Sequence, residues 1–366
     1  MALIKKHKTT IILILLVLAI SLFETNSVWV EQYYYLGIYP KISFVQRIIT
    51  GWVPFSIGDA LYLLLLLFIT YSIYFFIREV IKKANKIEII KRSFLKAIHF
   101  LLIIYIAFKL LWGLNYSRQG IVKQLDLEET VYCKEELINL IEDLIFEANN
   151  CRKQISDTSL SNISINKVFA DAKNAYAEIS KQYNFLSVNN FSIKPSLFSP
   201  TGNYLGYTGY YNPFTGEAQV RDDIPKILLP FIACHEVAHQ LGYASEDEAN
   251  FVAFLVAEKT HNTCLKYSMC LEVLDYALSD LFFKYYEDFD IINFPQKRLQ
   301  LEDCFDSQVK EDRKAIKYFF KQNRKEISNI SSNVYDKYLK INKQNAGIYS
   351  YNNIVRLIFR YYLKKC

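Results

Sequence analysis

Histidine is scarce in this chain, and several signals that would assign it to a common class are missing. The 366 residues include five histidines and seven cysteines, and no two cysteines form a CxxC pair. An odd number of cysteines leaves at least one thiol unpaired in any scheme, and their spacings predict no particular disulfide. Neither a repeat nor a low-complexity tract is visible. The two histidines that stand close together are therefore a feature to explain.

Positive charge outweighs negative charge in only one part of the chain. Residues 1–114 carry 13 Lys and Arg against 5 Asp and Glu, whereas the remainder carries 30 against 32. A nucleic-acid-binding surface requires a basic excess on the domain that binds. We expect no nucleic-acid partner, and we attribute the basic excess to membrane topology.

Apolar runs in the N-terminal part predict membrane-spanning helices, which need roughly 20 mostly apolar residues each. The predicted spans cover about residues 9–23, 57–77 and 94–114. The first run is short and follows three lysines, so the apolar core of a signal peptide is an alternative interpretation. We favour a retained anchor, because two spans follow and Trp29 with Tyr33–Tyr35 resembles an interfacial aromatic belt.

The distribution of basic residues predicts the orientation of these spans. The loop between the second and third spans carries seven Lys and Arg, and the loop between the first and second carries two. Basic loops are retained on the cytoplasmic side. We therefore expect a cytoplasmic N-terminus, a membrane anchor over residues 1–114 and an extracytoplasmic domain over residues 115–366. A transport function would rest on the apolar runs alone and has little support.

The outer part is predicted to be mainly helical with one small β-sheet. Apolar residues recur at helical spacing on both sides of residues 191–221. Within residues 191–221, prolines and glycines separate short aromatic stretches, which is typical of strands joined by turns. The fold class we expect is mainly α with a small sheet, and the sheet immediately precedes the helix that contains both neighbouring histidines.

The segment His235-Glu236-Val237-Ala238-His239 has the spacing of a metal site. Residues four apart lie on one helix face, so both imidazoles point into the same space. Glu236 is turned about 100° from His235 and can border that space as a general base. Two imidazoles and one further ligand leave a coordination position of zinc open, which is the metalloprotease pattern. An accidental match is a poor explanation, because the surrounding helix is apolar and a buried polar pair without partners is costly.

The third ligand distinguishes the classes of zinc peptidase. The metzincin pattern requires a third histidine where Ser245 stands, so it does not apply. The gluzincin pattern E-x-x-[AS]-[DN] is matched by Glu246-Asp247-Glu248-Ala249-Asn250. Glu246 and Asn250 share a helix face, so we expect Glu246 to bind the metal and Asn250 to orient a histidine. Glu248 is the alternative ligand, but with Ser245 it also forms a predicted capping box, after a first helix that ends near Gly242.

With HExxH, ExxAN, the preceding segment "GYYNPFTGEAQV" and three N-terminal spans, the chain resembles a bacterial family of membrane-anchored proteins. This family is known as domain-of-unknown-function family 3810 and is grouped with gluzincin-like zinc peptidases. The resemblance covers nearly the whole chain and implies a zincin-like α+β domain that is anchored to the bacterial plasma membrane by the N-terminal spans. It implies one Zn²⁺ per chain, held by His235, His239 and Glu246, with Glu236 as the catalytic base.

The expected function is that of a membrane-tethered zinc metallopeptidase that hydrolyses a peptide or protein outside the cytoplasm. Zinc-activated water would lose its proton to Glu236 and attack the scissile carbonyl. Tyr210 and Tyr211, on the strand before the metal helix, are candidates for the oxyanion donor, although packing of the small sheet is the favoured explanation for either ring. The alternative is a membrane-anchored binding or assembly protein with a structural zinc site, which would normally have four protein ligands.

Overall fold

A computed structural model describes residues 8–157, 162–323 and 353–365, together with residues 332, 336–337, 339–340 and 342. These residues are mainly helical and include one small sheet, as predicted from the sequence. The first four helices are α1 to α4, with bounds Lys8–Phe23, Ser27–Gly51, Ile57–Lys82 and Lys86–Leu111. Helix α2 is π-helical over Val30–Ile38.

Helices α3 and α4 are long and apolar enough to cross a membrane. Each has 26 residues, so each is roughly 39 Å long and exceeds an apolar core of about 30 Å. They occupy the positions of the second and third predicted spans, although α4 begins earlier and ends at Leu111. Helix α1 corresponds to the first predicted span, and it reaches sufficient length only with α2, from which it is bent by 96°.

A short 3₁₀ turn, Gly113–Ser117, leads from α4 to the remaining helices. In chain order, α5 to α14 are Gly120–Gln124, Lys134–Gln154, Ile165–Ile179, Gly202–Leu205, Leu229–Gln240, Glu246–Lys259, Thr263–Glu287, Phe294–Asp303, Ser307–Asn323 and Asn353–Lys365. Helices α9 and α10 are buried along most of their length, and their apolar side chains belong to one large core. The spacing of apolar residues also predicts a C-terminal helix over residues 351–363; α14 begins at Asn353, and residues 351–352 lie outside the described residues.

The sheet consists of β1 (Ile193–Pro195), β2 (Gly209–Asn212) and β3 (Glu217–Val220) in the order β1-β3-β2. The central strand β3 pairs in parallel with β1 and in antiparallel with β2. All four residues of β3 are buried. The edge strand β2 lies beside α9, and Gln240 of α9 donates hydrogen bonds to Ser192 O at 2.6 Å and Gly216 O at 3.0 Å. These bonds fix α9 against the sheet.

Residues from the N-terminal part bind the carboxyl end of α9, where the last carbonyls of a helix have no partner inside it. Trp112 Nε1 donates to His239 O at 3.0 Å, and the Tyr39 hydroxyl donates to Gln240 O at 2.8 Å. The Arg118 guanidinium donates to Gly242 O at 3.2 Å. A cation at this end of a helix also interacts favourably with the helix dipole. Residues on both sides of the predicted boundary at residue 114 therefore support α9.

Candidate metal centre

The turn between α9 and α10 brings the predicted ligands together. Gly242 adopts a positive φ of 86°, which suits glycine, and ends the helix as predicted. Its N–H bonds His239 O at 3.0 Å and the Tyr243 N–H bonds Ala238 O at 3.2 Å, the pair of bonds that defines a Schellman motif. Helix α10 then begins at Glu246 itself. The first residue of one helix consequently faces the last turns of the other.

The three ligand atoms have the spacing that one tetrahedral cation requires. His235 Nε2 lies 3.1 Å from His239 Nε2 and 3.2 Å from Glu246 Oε2, and His239 Nε2 lies 3.8 Å from the same oxygen. Atoms bound at about 2.1 Å to a tetrahedral zinc lie about 3.4 Å from one another. The donor set of two imidazoles and one carboxylate also suits zinc. His235, His239 and Glu246 thus fit this ion in both spacing and chemistry.

His239 is oriented by the backbone rather than by Asn250. Its Nδ1 lies 2.6 Å from Tyr243 O. Because a carbonyl can only accept, Nδ1 carries the proton and Nε2 faces the other ligands. Asn250 instead donates to the Tyr276 hydroxyl at 3.4 Å, which differs from the role expected for it. The Schellman turn at Gly242 supplies the orienting group that the sequence pattern had assigned to a side chain.

Glu246 and the two histidines stabilise each other's charged forms. Burial opposes ionisation of Glu246, but hydrogen bonds and charge interactions with His235 and His239 hold its pKa well below its usual value. Burial also lowers the pKa of His239, but Glu246 outweighs this effect and raises it to about 9. The centre therefore pairs an ionised carboxylate with a protonated imidazole, and a metal ion would have to displace that proton to bind there.

Glu236 stands beside the three ligands without being one of them. It is buried, and its Oε2 has no hydrogen-bond partner among the described residues. Burial raises its pKa to about 7, with His235 and His239 acting in the opposite direction. A Cβ atom at Gly209 on β2 would lie 2.5 Å from Glu236 Oε1, so the carboxylate lies directly against the bare backbone of the edge strand. A buried carboxylate with a pKa of about 7 can both accept and release a proton near neutral pH.

The ligands and Glu236 line a cavity of about 1400 Å³ that Tyr210 and Tyr211 also border. The Tyr210 hydroxyl donates to Asp59 of α3 and lies 3.0 Å from Ser196 Oγ. Burial, reinforced by the bond to Asp59, raises the pKa of Tyr210 and keeps the hydroxyl protonated. The Tyr211 ring packs 5.2 Å from the Trp112 ring between centroids. The role of either tyrosine as an oxyanion donor stays a prediction.

Three contacts at the site had no recognisable signal in the sequence. Gly209 contacts Glu236, and the Trp112 ring lies 6.0 Å from the His239 ring. Tyr276 on α11 borders the cavity, and burial, followed by the charges of Glu272 and Glu246, raises its pKa well above normal. Tyr276 is therefore a further protonated hydroxyl near the ligands. Only a prediction that α11 packs beside α10 could have identified it.

The predicted capping box at the start of α10 is wrong. Ser245 is the N-cap residue, but its side chain makes no capping hydrogen bond. Glu248 instead accepts a hydrogen bond of 2.6 Å from the Ile121 N–H. Gly120 leaves room for this contact, because a Cβ there would lie 1.9 Å from Glu248 Oε1. Glu248 thus joins α10 to α5, and its absence from the ligand cluster agrees with the choice of Glu246.

Residues 34–359 match a family model described as Protein of unknown function (DUF3810). The match includes the ligands, Glu236, the sheet and both long apolar helices. Comparison with curated proteins and with solved structures gives no match.

Proposed function

The chain belongs to the DUF3810 family, whose description assigns no activity, and from the geometry of its candidate metal centre we propose that it is a membrane-tethered zinc metallopeptidase. In this proposal His235, His239 and Glu246 hold one zinc ion, and Glu236 is the general base. The arrangement would be a gluzincin-like site in a zincin-like domain. The domain would lie outside the cytoplasm of a bacterium, anchored in the plasma membrane by its N-terminal helices.

The observation that carries the proposal is the position of Glu236 relative to the ligands. Its carboxylate is buried beside three ligand atoms that lie within 4.8 Å of one another, and it faces a large cavity. A purely structural ion would need no unbonded carboxylate beside it. In the described sheet, β2 has no strand on the side away from β3, so a peptide could pair with this edge next to Glu236.

The chemistry follows from these positions. Zinc, when bound, would supply a Lewis acid that polarises the scissile carbonyl and lowers the pKa of water. Glu236 would take a proton from the attacking water as the new C–O bond forms. It would then give this proton to the leaving nitrogen as the C–N bond breaks, which yields a carboxylate and an amine. Tyr276 borders the cavity, and its protonated hydroxyl is a candidate to donate to the developing oxyanion, whereas the Tyr210 hydroxyl already donates its one proton to Asp59 and would have to leave this bond first.

The alternative, a binding or assembly protein with a structural zinc site, is less well supported. Structural zinc sites normally have four protein ligands. Among the described residues the cluster offers three, and it opens on a cavity. Cys234, adjacent to His235, is fully buried and is not part of the cluster.

The test is cleavage of a casein or mixed-peptide substrate by the full chain and by Glu236→Gln in detergent. Glutamine is nearly isosteric, so the variant should keep its fold and zinc. Its rate of cleavage should fall by about 100-fold or more, as expected for loss of a positioned base. Equal rates for the two proteins, each with one zinc, would remove the mechanism and favour the structural site.

A further inference from the structure

The cavity at the metal centre extends to the two long apolar helices. Its lining includes His235, Glu236 and Glu246, and it also includes Tyr62 of α3 and Ile104 of α4. Phe108 and Trp112, at the end of α4, also line it, with ring centroids 6.2 Å apart, and the Trp112 ring lies 6.0 Å from the His239 ring. One continuous space therefore joins the candidate reaction centre to side chains of helices that can cross a membrane.

The residues of α3 and α4 that line the cavity lie inside these helices and not at their ends. Tyr62 is the sixth residue of α3, roughly 7.5 Å from its start, and Ile104 is roughly 10 Å from the end of α4. The neighbouring apolar side chains Leu61, Leu63 and Ile103 are exposed to the surroundings of the protein. In a bilayer these neighbours would contact lipid, and this end of the cavity would lie within the leaflet nearer to the metal centre.

This part of α3 is fixed to the sheet. Glu217 of β3 accepts hydrogen bonds from Ile57 N at 3.1 Å and from Gly58 N at 2.6 Å, at the positive end of the helix dipole. Asp59 accepts a hydrogen bond of 2.7 Å from Leu197 N, just after β1. The position of Tyr62 relative to the sheet is therefore set by several buried polar contacts. The end of the cavity at Tyr62 and Ile104, which we call the opening, is accordingly a fixed feature of the fold.

The chemical character of the cavity changes along its length. On the side of His239 it is bordered by Trp112, Phe108 and the apolar helices. On the side of Glu246, Asn250 contacts Tyr276 of α11, and α11 and α13 contribute charged side chains to the lining. These side chains are Glu272, Asp275, Arg313 and Lys317. The occupant that matches this lining has an apolar end and a polar end.

We propose that the substrates are polypeptides anchored in the same bilayer by an apolar spanning segment. The outer end of that segment enters between α3 and α4 at Tyr62 and Ile104, and the adjoining chain passes the metal ligands toward the charged side chains of α11 and α13. The volume of about 1400 Å³ exceeds the range of about 300–1,000 Å³ that is usual for small-molecule sites, as a stretch of chain requires. This inference rests on the proposed function and specifies its substrate class.

Photocrosslinking tests the membrane-facing opening without requiring turnover. The full chain with Glu236→Gln is placed in phosphatidylcholine vesicles with benzoylphenylalanine at residue 104 or, as matched control, at residue 103. The probe is a synthetic peptide with a 20-residue Leu/Ala spanning segment and a polar tail. We expect capture of the peptide at residue 104 to exceed capture at residue 103 by about five-fold or more, because the cavity raises the local concentration of the chain.

Residues 62 and 63 on α3 form a second pair with the same expectation, in case the residue-104 variant fails to fold. Equal capture within each pair, or lipid adducts alone at residues 104 and 62, would overturn the inference. Cleavage by the wild type, assayed both on the polar tail of the membrane peptide and on soluble casein, separates this result from the proposed function. Capture at residue 104 without any wild-type cleavage would remove the peptidase activity and leave the opening. Wild-type cleavage together with equal capture at residues 104 and 103 would keep the peptidase activity and overturn the inference about the opening.

Discussion

Replacing Gly209 with alanine would introduce a methyl group between β2 and the carboxylate of Glu236. The new Cβ would lie 2.5 Å from Glu236 Oε1 and 2.9 Å from the carbonyl oxygen of Gln219 on β3, where an ordinary contact is at least 3.4 Å. The carboxylate would have to retreat by about 0.9 Å. Displacement of a catalytic group by about 1 Å can reduce the rate by about 100-fold, or roughly 2.7 kcal/mol.

We therefore expect Gly209→Ala to lower kcat/KM for peptide cleavage by about 100-fold while the zinc content stays at that of the wild type. Crowding should also reduce the free energy of unfolding by about 1–3 kcal/mol. Gly206→Ala is the matched control. Its backbone has a positive φ of 80°, so it should also lose about 1 kcal/mol of stability, but the nearest atom of a described residue to the new Cβ is 4.0 Å away.

The assay compares the two variants at equal folded and zinc-loaded concentration, determined by thermal melting and elemental analysis. The reasoning is refuted if Gly209→Ala cleaves as fast as Gly206→Ala. It is also refuted if Gly209→Ala loses zinc in proportion to its activity, because the substitution would then act on the ligands and not on the base.

Three further outcomes follow from contacts around the site. Glu248→Gln removes the charge that accepts the Ile121 hydrogen bond. The zinc-loaded variant should therefore lose about 1–3 kcal/mol of unfolding free energy and keep its zinc. An unchanged melting temperature would contradict this prediction. Reporter fusions at Lys86 and Lys123 should report opposite sides of the membrane, because α4 lies between them, and signals from one side would contradict the predicted topology. Because the pKa of His239 is about 9, the apo protein holds this proton at pH 8, and zinc binding there should release about one proton in calorimetry with two different buffers. Zinc affinity that does not rise between pH 6 and pH 8 would contradict that assignment.

The part of the site that the sequence predicts is the part encoded in one short segment. His235, Glu236, His239 and Glu246 lie on two consecutive helices joined by a glycine turn, so helical geometry and one C-cap suffice to bring them together. The periodicity of apolar residues likewise predicts the helices. Both kinds of inference use only contacts between residues that are close in the chain.

The remaining features depend on contacts between distant residues. Trp112 bonds the carbonyl of His239 across 127 positions, and no local pattern marks this pair. Glu248 has a capping-box spacing, but the Ile121 N–H of a packed helix competes for its carboxylate and binds it. The local preference for a capping box is not realised here, because tertiary packing brings the Ile121 N–H to the Glu248 carboxylate. The end of the cavity at Tyr62 and Ile104 is of the same kind, since it forms only where α3 and α4 meet the sheet and α9.

The central claim is that His235, His239 and Glu246 hold a metal ion, and elemental analysis of the purified full chain tests it most directly. The account predicts about one zinc per chain in the wild type and in Glu236→Gln. It predicts loss of most of this zinc in His239→Ala, and weaker retention in Glu246→Gln, because a neutral amide replaces an anionic oxygen donor. Zinc content that is unchanged in His239→Ala, in a chain that melts cooperatively, would contradict the claim.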